Sequence, residues 1–214
     1  MTNQKVFFSA FFFASTDQVF NLILGFLIQV RVIFHLGPNE FGHYSLALIH
    51  AGIVIYITSL SYTVDVNRFI SNGKTSNQLL VSALKHRFVT TGMLILIFSP
   101  FWYFYFQISL TSIFAAYFIA AQTQFYSHLI AAKNPSLAFA VSLISKSLML
   151  TSIELAGKQL SVDIVLSIMA CSSLIGTALA IFLLKSTFPK NNKLSKKQIN
   201  IIKIQFLNFA YVGG

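Results

Sequence analysis

Two ionisable side chains, Asp17 and Lys146, lie near the middle of long apolar stretches of this 214-residue chain. Asp17 is twelve residues after Lys5 and fourteen before Arg31, so in a helix it is about 18 to 21 Å from either cation. Lys146 is similarly far from the cations on its two sides. An ionisable group at such a depth in a bilayer is unfavourable unless it faces water or a partner. A carboxyl group there can carry a proton or a cation, and an ammonium group can attract an anion.

Polar residues continue along one side of the helix that the sequence predicts around Asp17. Asn21 follows at i+4, and Gln18, Gly25 and Gln29 extend the stripe. Together they cover about 120° of the helix surface. Such a stripe favours a water-filled cavity over contact with lipid.

Lys146, with Ser142 at i−4, can be interpreted in three ways. A buried lysine usually pairs with a carboxylate or an anionic ligand, so Lys146 and Asp17 could form a structural salt bridge between the first and fifth predicted helices. Alternatively, both residues line one hydrophilic cavity and act on substrate. The third alternative is that Lys146 extends its ammonium toward the membrane surface.

Three further residues are candidates for binding a substrate or an ion. Gln124 and His128 share one face of the fourth predicted helix at i and i+4, where hydrogen bonding between helices is the usual role. Arg31, with His35 nearby, borders the outer end of the first helix. It either anchors that helix at the membrane surface or meets an anion leaving the cavity.

Signals of catalysis are absent from the sequence. It has no phosphate-binding glycine loop, no metal-spaced cluster of His, Cys and Glu, and only five acidic residues. The single cysteine, Cys171, excludes an intramolecular disulfide. We therefore predict that the protein is not an enzyme and has no metal or cofactor.

The elements that carry these residues are predicted to be membrane-spanning helices. The chain is 56% hydrophobic and only 9% charged, whereas soluble domains contain about 25% charged residues. Its apolar blocks are of the length, about 20 residues, that a helix needs to cross a bilayer. We predict an all-α integral membrane protein whose six-helix lobe occupies residues 1–184, followed by a basic cytoplasmic linker at 185–203 and the start of a seventh helix at 204–214. The six predicted spans are 6–30, 41–64, 88–106, 110–132, 135–156 and 162–184.

The distribution of basic residues predicts the orientation. With a cytoplasmic N-terminus, twelve of the fifteen Lys and Arg residues fall inside, two fall outside, and Lys146 lies within a span. This asymmetry is what the positive-inside rule requires. The net charge of +10 is thus interpreted as topological, and nucleic-acid binding is not predicted.

Three segments resemble one family of transporters. They are the amphipathic first helix STDQVFNLILGFLIQV (15–30), the outer turn HLGPNEFGHYSLAL (35–48) and VDVNRFIS (64–71). In the turn, Gly37 and Gly42 bracket the reversal of the chain and Tyr44 is expected at the membrane interface. These features resemble the N-terminal lobe of oligosaccharide (O-antigen) flippases of the multidrug/oligosaccharidyl-lipid/polysaccharide exporter superfamily. The first 75 residues carry the resemblance best, and beyond them only the number and spacing of helices agree.

The resemblance implies translocation of an undecaprenyl-diphosphate-linked oligosaccharide across the bacterial cytoplasmic membrane in O-antigen or other polysaccharide biosynthesis. It also implies two six-helix lobes around a central cavity, coupling to H⁺ or Na⁺, and polysaccharide polymerase and chain-length machinery as partners. Lys146 and Arg31 would then attract the diphosphate, and Asp17 would carry the coupling ion.

Other functions remain open at this point. A drug or cation antiporter of the same superfamily would also use an acid in the first helix. An integral-membrane enzyme would need a polar loop with catalytic residues, which the connection at 65–87 does not contain. Because the sequence stops inside an apolar run, we expect a truncated chain, which could be non-functional, in preference to a half-size protein that dimerises.

Overall fold

The computed structural model describes residues 2–59, 109–131 and 134–187, together with residues 89, 91–93, 95–97, 100 and 103–104. Throughout these residues the secondary structure is helical, apart from short connections between the helices. The prediction of an all-α fold is therefore confirmed for the described part of the chain.

The first helix, α1 (Thr2–Ser59), is interrupted at Gly37. Gly37 has φ 75° and ψ 171°, a conformation that is open essentially to glycine alone. Pro38 follows, where its fixed φ suits the first turn of a new helical segment and its missing N–H needs no partner. We call residues 2–36 the first arm of α1 and residues 38–59 the second arm.

The two arms of α1 fold back on each other. The side-chain amide of Gln29 donates a hydrogen bond of 3.4 Å to the hydroxyl of Tyr44. In a straight helix, these residues would be about 22 Å apart. Because they lie almost equally far from Gly37 on its two sides, their contact requires the chain to reverse direction there.

Besides the helical residues described between 89 and 104, three further α-helices follow: α2 (Leu110–Ala131), α3 (Pro135–Ala156) and α4 (Val162–Thr187). Pro135 lies in the first turn of α3, and Gly157, with φ 48°, ends that helix. A short 3-10 turn (Gly157–Gln159) leads into α4.

Side-chain contacts establish the relative direction of the helices. Ser142 and Glu154 of α3 bond to Asn21 and Arg31 of the first arm, so these two helices are parallel. Thr111 and Asp163, in the first turns of α2 and α4, are joined by a 2.5 Å hydrogen bond, and further along Gln122 packs over Gly176, so α2 and α4 are also parallel. Helices α3 and α4 are antiparallel, since the hydroxyl of Ser145 donates to the carbonyl of Ser172 at 3.0 Å and Ile153 shares a core cluster with Val165.

The main hydrophobic core lies at the end of the bundle that carries the Gly37 reversal. Both arms of α1 and all three later helices contribute to it. Tyr44 is completely buried there, and its hydroxyl donates to the sulfur of Met169 at 3.7 Å. Neighbouring helices thus cover Tyr44, and its expected position at the membrane interface stays a prediction. Elsewhere, alanine, serine and glycine fill many buried positions, as in the close helix packing of membrane proteins.

Three helical stretches of the described residues are long and apolar enough to cross a bilayer: Ser15–Ile53, Pro135–Gln159 and Val162–Leu183. Many large apolar side chains on them are exposed, such as Leu22 and Phe34, each 74% exposed. Lipid would cover surfaces of this kind in a membrane.

The predicted boundaries agree with the structure in the C-terminal half and differ near the N-terminus. Helices α2, α3 and α4 match the predicted segments 110–132, 135–156 and 162–184 to within three residues. Between the predicted spans 6–30 and 41–64 the chain is helical except at Gly37, so both arms of α1 extend beyond the predicted spans into this connection. Gly42 is helical as well and does not form part of the turn. Of the predicted third span (88–106), only the ten residues stated above are described. Residues 60–88 and 188–214, which include most of the predicted linker and the start of a seventh helix, lie outside the described residues.

Candidate functional site

Asp17 and Lys146 come together where the first arm of α1 packs against α3. Asp17 and Asn21 are one turn apart on the first arm, and Ser142 and Lys146 are one turn apart on α3. Because both pairs have i, i+4 spacing, each lies on a single helix face. We call these four residues the Asp17 cluster.

Asn21 is the hydrogen-bonding centre of the Asp17 cluster. The hydroxyl of Ser142 donates to its side-chain oxygen at 2.6 Å, and the ammonium of Lys146 donates to its backbone carbonyl at 2.9 Å. The ammonium lies against bare backbone, since a Cβ at Gly25 would be 3.9 Å from Nζ. The Lys146 side chain is thus turned toward the first arm and does not extend toward the membrane surface.

Asp17 is buried beside Lys146 without forming a direct ion pair with it. The Asp17 residue is only 8% exposed, and its Oδ1 atom has no hydrogen-bond partner within the described structure. The two charges attract each other, and Asn21 interacts with the Asp17 carboxyl group. However, the ion pairs within 4.0 Å in the described part of the chain both involve Glu154. The closed salt bridge that was one interpretation of the sequence is therefore not formed.

The polar stripe on the first arm is divided between helix contacts and open surface. Asn21 and Gly25 face α3, and Gln29 bonds to Tyr44 of the second arm. Gln18 is exposed. Much of the stripe thus serves helix packing, and whether the remainder faces water stays a prediction.

Arg31 is separate from the Asp17 cluster and binds Glu154. Its Nε atom is 2.8 Å from Glu154 Oε1, and His35 Nε2 is 4.0 Å from the other oxygen of the same carboxylate. The Arg31 and Glu154 side chains are 49% and 40% exposed. Sequence reasoning missed Glu154, although it lies eight residues after Lys146 and thus close to the same face of α3. That spacing was the signal that could have identified it.

The two remaining candidates, Gln124 and His128, lie on α2, but their side chains are outside the described structure. Their neighbour Gln122 packs over Gly176 of α4. No group of three or more His, Cys, Asp or Glu residues in the described structure could hold a metal ion.

A groove of about 360 Å³ lies away from the Asp17 cluster, between α3 and α4. Its wall is mainly apolar and includes Leu148, Ile164, Ile168 and Ile175, with Asp163 among the polar residues. It contains none of the predicted site residues.

The described structure thus defines a class: a helical protein with three apolar stretches long enough to span a bilayer and a polar, charged contact between the first two of them. In comparisons with known proteins, no family model, curated protein or solved structure matches this chain.

Proposed function

We propose that this chain forms one lobe of a transporter that moves a lipid-linked oligosaccharide, with an undecaprenyl-diphosphate carrier, across the bacterial cytoplasmic membrane. The orientation proposed places the N-terminus in the cytoplasm and the Gly37 reversal outside. Six spans per lobe, and the alternation of helix directions that they require, are part of this proposal. The directions of both arms of α1 and of α2, α3 and α4 are compatible with it.

The observation that carries the proposal is the incomplete pairing within the Asp17 cluster. A buried carboxylate and a buried ammonium that served only to hold two helices together would be most stable in direct contact, since each is costly when unpaired. Here Asp17 Oδ1 has no hydrogen-bond partner within the described structure, and Lys146 bonds to a backbone carbonyl. Such an arrangement leaves capacity for binding a further group.

The chemistry of the proposed substrate suits these residues. A diphosphate carries negative charge along the transport path, and Lys146 offers it an ammonium group with further N–H donors. Arg31 was a candidate for the same role from the sequence, but Glu154 already neutralises it, so we assign the diphosphate to Lys146 alone. Asp17 would carry the coupling proton or Na⁺, and alternating access would move this lobe against its partner.

A cation or drug antiporter is the second candidate function. One buried oxygen of Asp17 has no hydrogen-bond partner among the described residues. This favours the antiporter, because a carboxylate oxygen is a ligand for a cation or a proton acceptor. The nearby ammonium of Lys146 opposes it, because a positive charge lowers the affinity of the same place for cations.

Substitutions that remove one charge at a time test the proposal. We would replace Asp17→Asn and Lys146→Gln, singly and together, in cells whose surface polysaccharide depends on this chain. Surface polysaccharide and the amount of protein in the membrane would both be measured. Glu154→Gln is the matched control, because it removes a charge from the same helix as Lys146 but outside the cluster.

The proposal predicts normal protein amounts and loss of surface polysaccharide in both single variants and in the double variant. A purely structural pair predicts low amounts in the single variants, since an uncompensated buried charge costs about 3–5 kcal/mol, and recovery in the double variant. Recovery of both protein and polysaccharide would contradict the proposal. Loss of cation transport with polysaccharide unchanged would favour the antiporter.

A further inference from the structure

The groove between α3 and α4 has two chemically different ends. Asp163 lies at one end, in the first turn of α4, and Ile164, Ile168 and Ile175 line the remainder together with Leu148. From residue 163 to residue 175, the helix rises about 18 Å. One leaflet of a bilayer has a hydrocarbon thickness of about 15 Å. The groove therefore matches the length of a single lipid leaflet, and its charged end would lie at the level of the headgroups if its apolar part faced the acyl chains.

The hydroxyl groups in the wall of the groove do not make it hydrophilic. Ser167 donates its proton to the carbonyl of Asp163 at 2.7 Å, and Ser172 donates to the carbonyl of Met169 at 3.0 Å. Because these two hydroxyl protons are bound within α4, the α4 side of the groove below Asp163 can contact an acyl chain without leaving a donor unsatisfied.

Asp163 is the charged residue that lines the groove, and its charge is not neutralised within the described structure. Its Oδ1 accepts a 2.5 Å hydrogen bond from the hydroxyl of Thr111. No lysine, arginine or histidine nitrogen of the described residues lies within 4.0 Å of its carboxylate. An occupant with a positive charge at one end and an apolar chain behind it complements this arrangement.

We propose that the groove binds one phospholipid with a primary ammonium headgroup, such as phosphatidylethanolamine, with the ammonium on Asp163 and one acyl chain along α4. A primary ammonium can donate hydrogen bonds to the carboxylate, whereas the quaternary ammonium of phosphatidylcholine has no N–H. The groove should therefore discriminate between these two lipids. This site is independent of the proposed transport function.

Cys171 allows a direct test, because it is the single cysteine of the chain and lies in the groove. The full chain would be labelled at Cys171 with a small fluorophore and reconstituted into bilayers. Quenching would then be compared for phosphatidylethanolamine and phosphatidylcholine that carry the same mid-chain bromine label. In the matched control, Cys171→Ser is combined with Leu174→Cys, which moves the label three residues along α4 to an exposed position that does not line the groove.

We expect phosphatidylethanolamine to bind at least about tenfold more strongly than phosphatidylcholine at Cys171, as one hydrogen bond to a charged group would provide. Asp163→Asn should abolish the preference while keeping an acceptor for Thr111, and Asp163→Glu should retain it. The label at position 174 should show no preference. Three results would each overturn the proposal. They are equal quenching by both lipids at Cys171, a preference that survives Asp163→Asn, and a label that lipid does not quench because protein covers the groove.

Discussion

Lys146 reaches α1 at a place where that helix has no side chain. Gly25 leaves the backbone uncovered, and the ammonium binds the carbonyl one turn earlier, at Asn21. Asp17 is therefore close enough to attract Lys146 but does not bind it directly. Because the two charged groups do not bind each other directly, we propose that they bind ligands.

Which charged residues approach each other was partly predictable from the sequence. The depth of Asp17 and Lys146 in their apolar stretches predicts that they meet, and the structure brings them into one cluster. The bond from Lys146 to a backbone carbonyl was not predictable, because every residue has such a carbonyl and none is marked in the sequence. The pairing of Arg31 with Glu154 was not predicted either, because Glu154 lies near the end of its span, where an acidic side chain can also reach water without a partner.

The Arg31–Glu154 pair should contribute little to stability and nothing to transport. Its side chains are about half exposed, and exposed ion pairs are worth about 0.2–1 kcal/mol. We expect Arg31→Gln and Glu154→Gln each to lower the melting temperature slightly, and the double variant to lower it no further than one of them. Thermal unfolding in detergent, with export measured in parallel, checks this. Loss of export in Arg31→Gln with Glu154→Gln unaffected would instead mean that Arg31 binds the substrate.

At the scale of elements, the reversal at Gly37 organises the N-terminal part of the bundle. It returns the second arm along the first and thereby brings Tyr44 to Gln29. The sequence indicated the reversal through Gly37-Pro38, but it did not indicate that the first arm continues to residue 36. The predicted span ends just before the charged Arg31, whereas the residues that follow it keep helical packing and Val32 is fully buried. By contrast, the predicted span 135–156 coincides with α3, because the fixed φ of Pro135 suits a first helical turn and Gly157 can adopt the positive φ at which the helix ends.

Substitution of Gly37 should destabilise the protein. At φ 75° and ψ 171°, Gly37→Ala would be strained by about 1–3 kcal/mol. Gly42→Ala is the matched control, because Gly42 is helical and an added methyl group there would have no neighbour within 4 Å. The control should be neutral or stabilise by up to about 1 kcal/mol. Chemical or thermal unfolding measures both, and equal effects would contradict the role assigned to Gly37 in the reversal.

The parallel packing of the first arm against α3 can be tested by cross-linking. In a Cys171→Ser background, a short thiol cross-linker should join Asn21→Cys to Ser142→Cys, whose native side chains are 2.6 Å apart. It should not join Asn21→Cys to Glu154→Cys, because positions 142 and 154 are separated by about 18 Å along α3. Cross-linking of the second pair in preference to the first would mean that the helices are antiparallel.

At the scale of the whole molecule, composition indicated a membrane protein, and three helical stretches of the described structure have the length and apolar character to cross a bilayer. A charged cluster at the contact between two such helices is costly unless water or a ligand reaches it. Transport through the Asp17 cluster therefore requires an aqueous path to it. Sequence periodicity could indicate a polar face, but it could not distinguish a face that packs against another helix from one that lines a cavity.

The accessibility of the polar stripe to water in the membrane tests this central claim most directly. Two single-cysteine variants would be made in a Cys171→Ser background. One has cysteine at Gln18, which is exposed beside the Asp17 cluster. The other has cysteine at Ile23, which is 51% exposed on the other side of the same arm. The measurement is the rate of reaction of each cysteine with a charged, membrane-impermeant thiol reagent in sealed bilayers. We predict that Gln18→Cys reacts and that Ile23→Cys, facing lipid, does not. Failure of Gln18→Cys to react from either side of the membrane would contradict the aqueous path and, with it, the proposed role of Asp17 and Lys146 in transport.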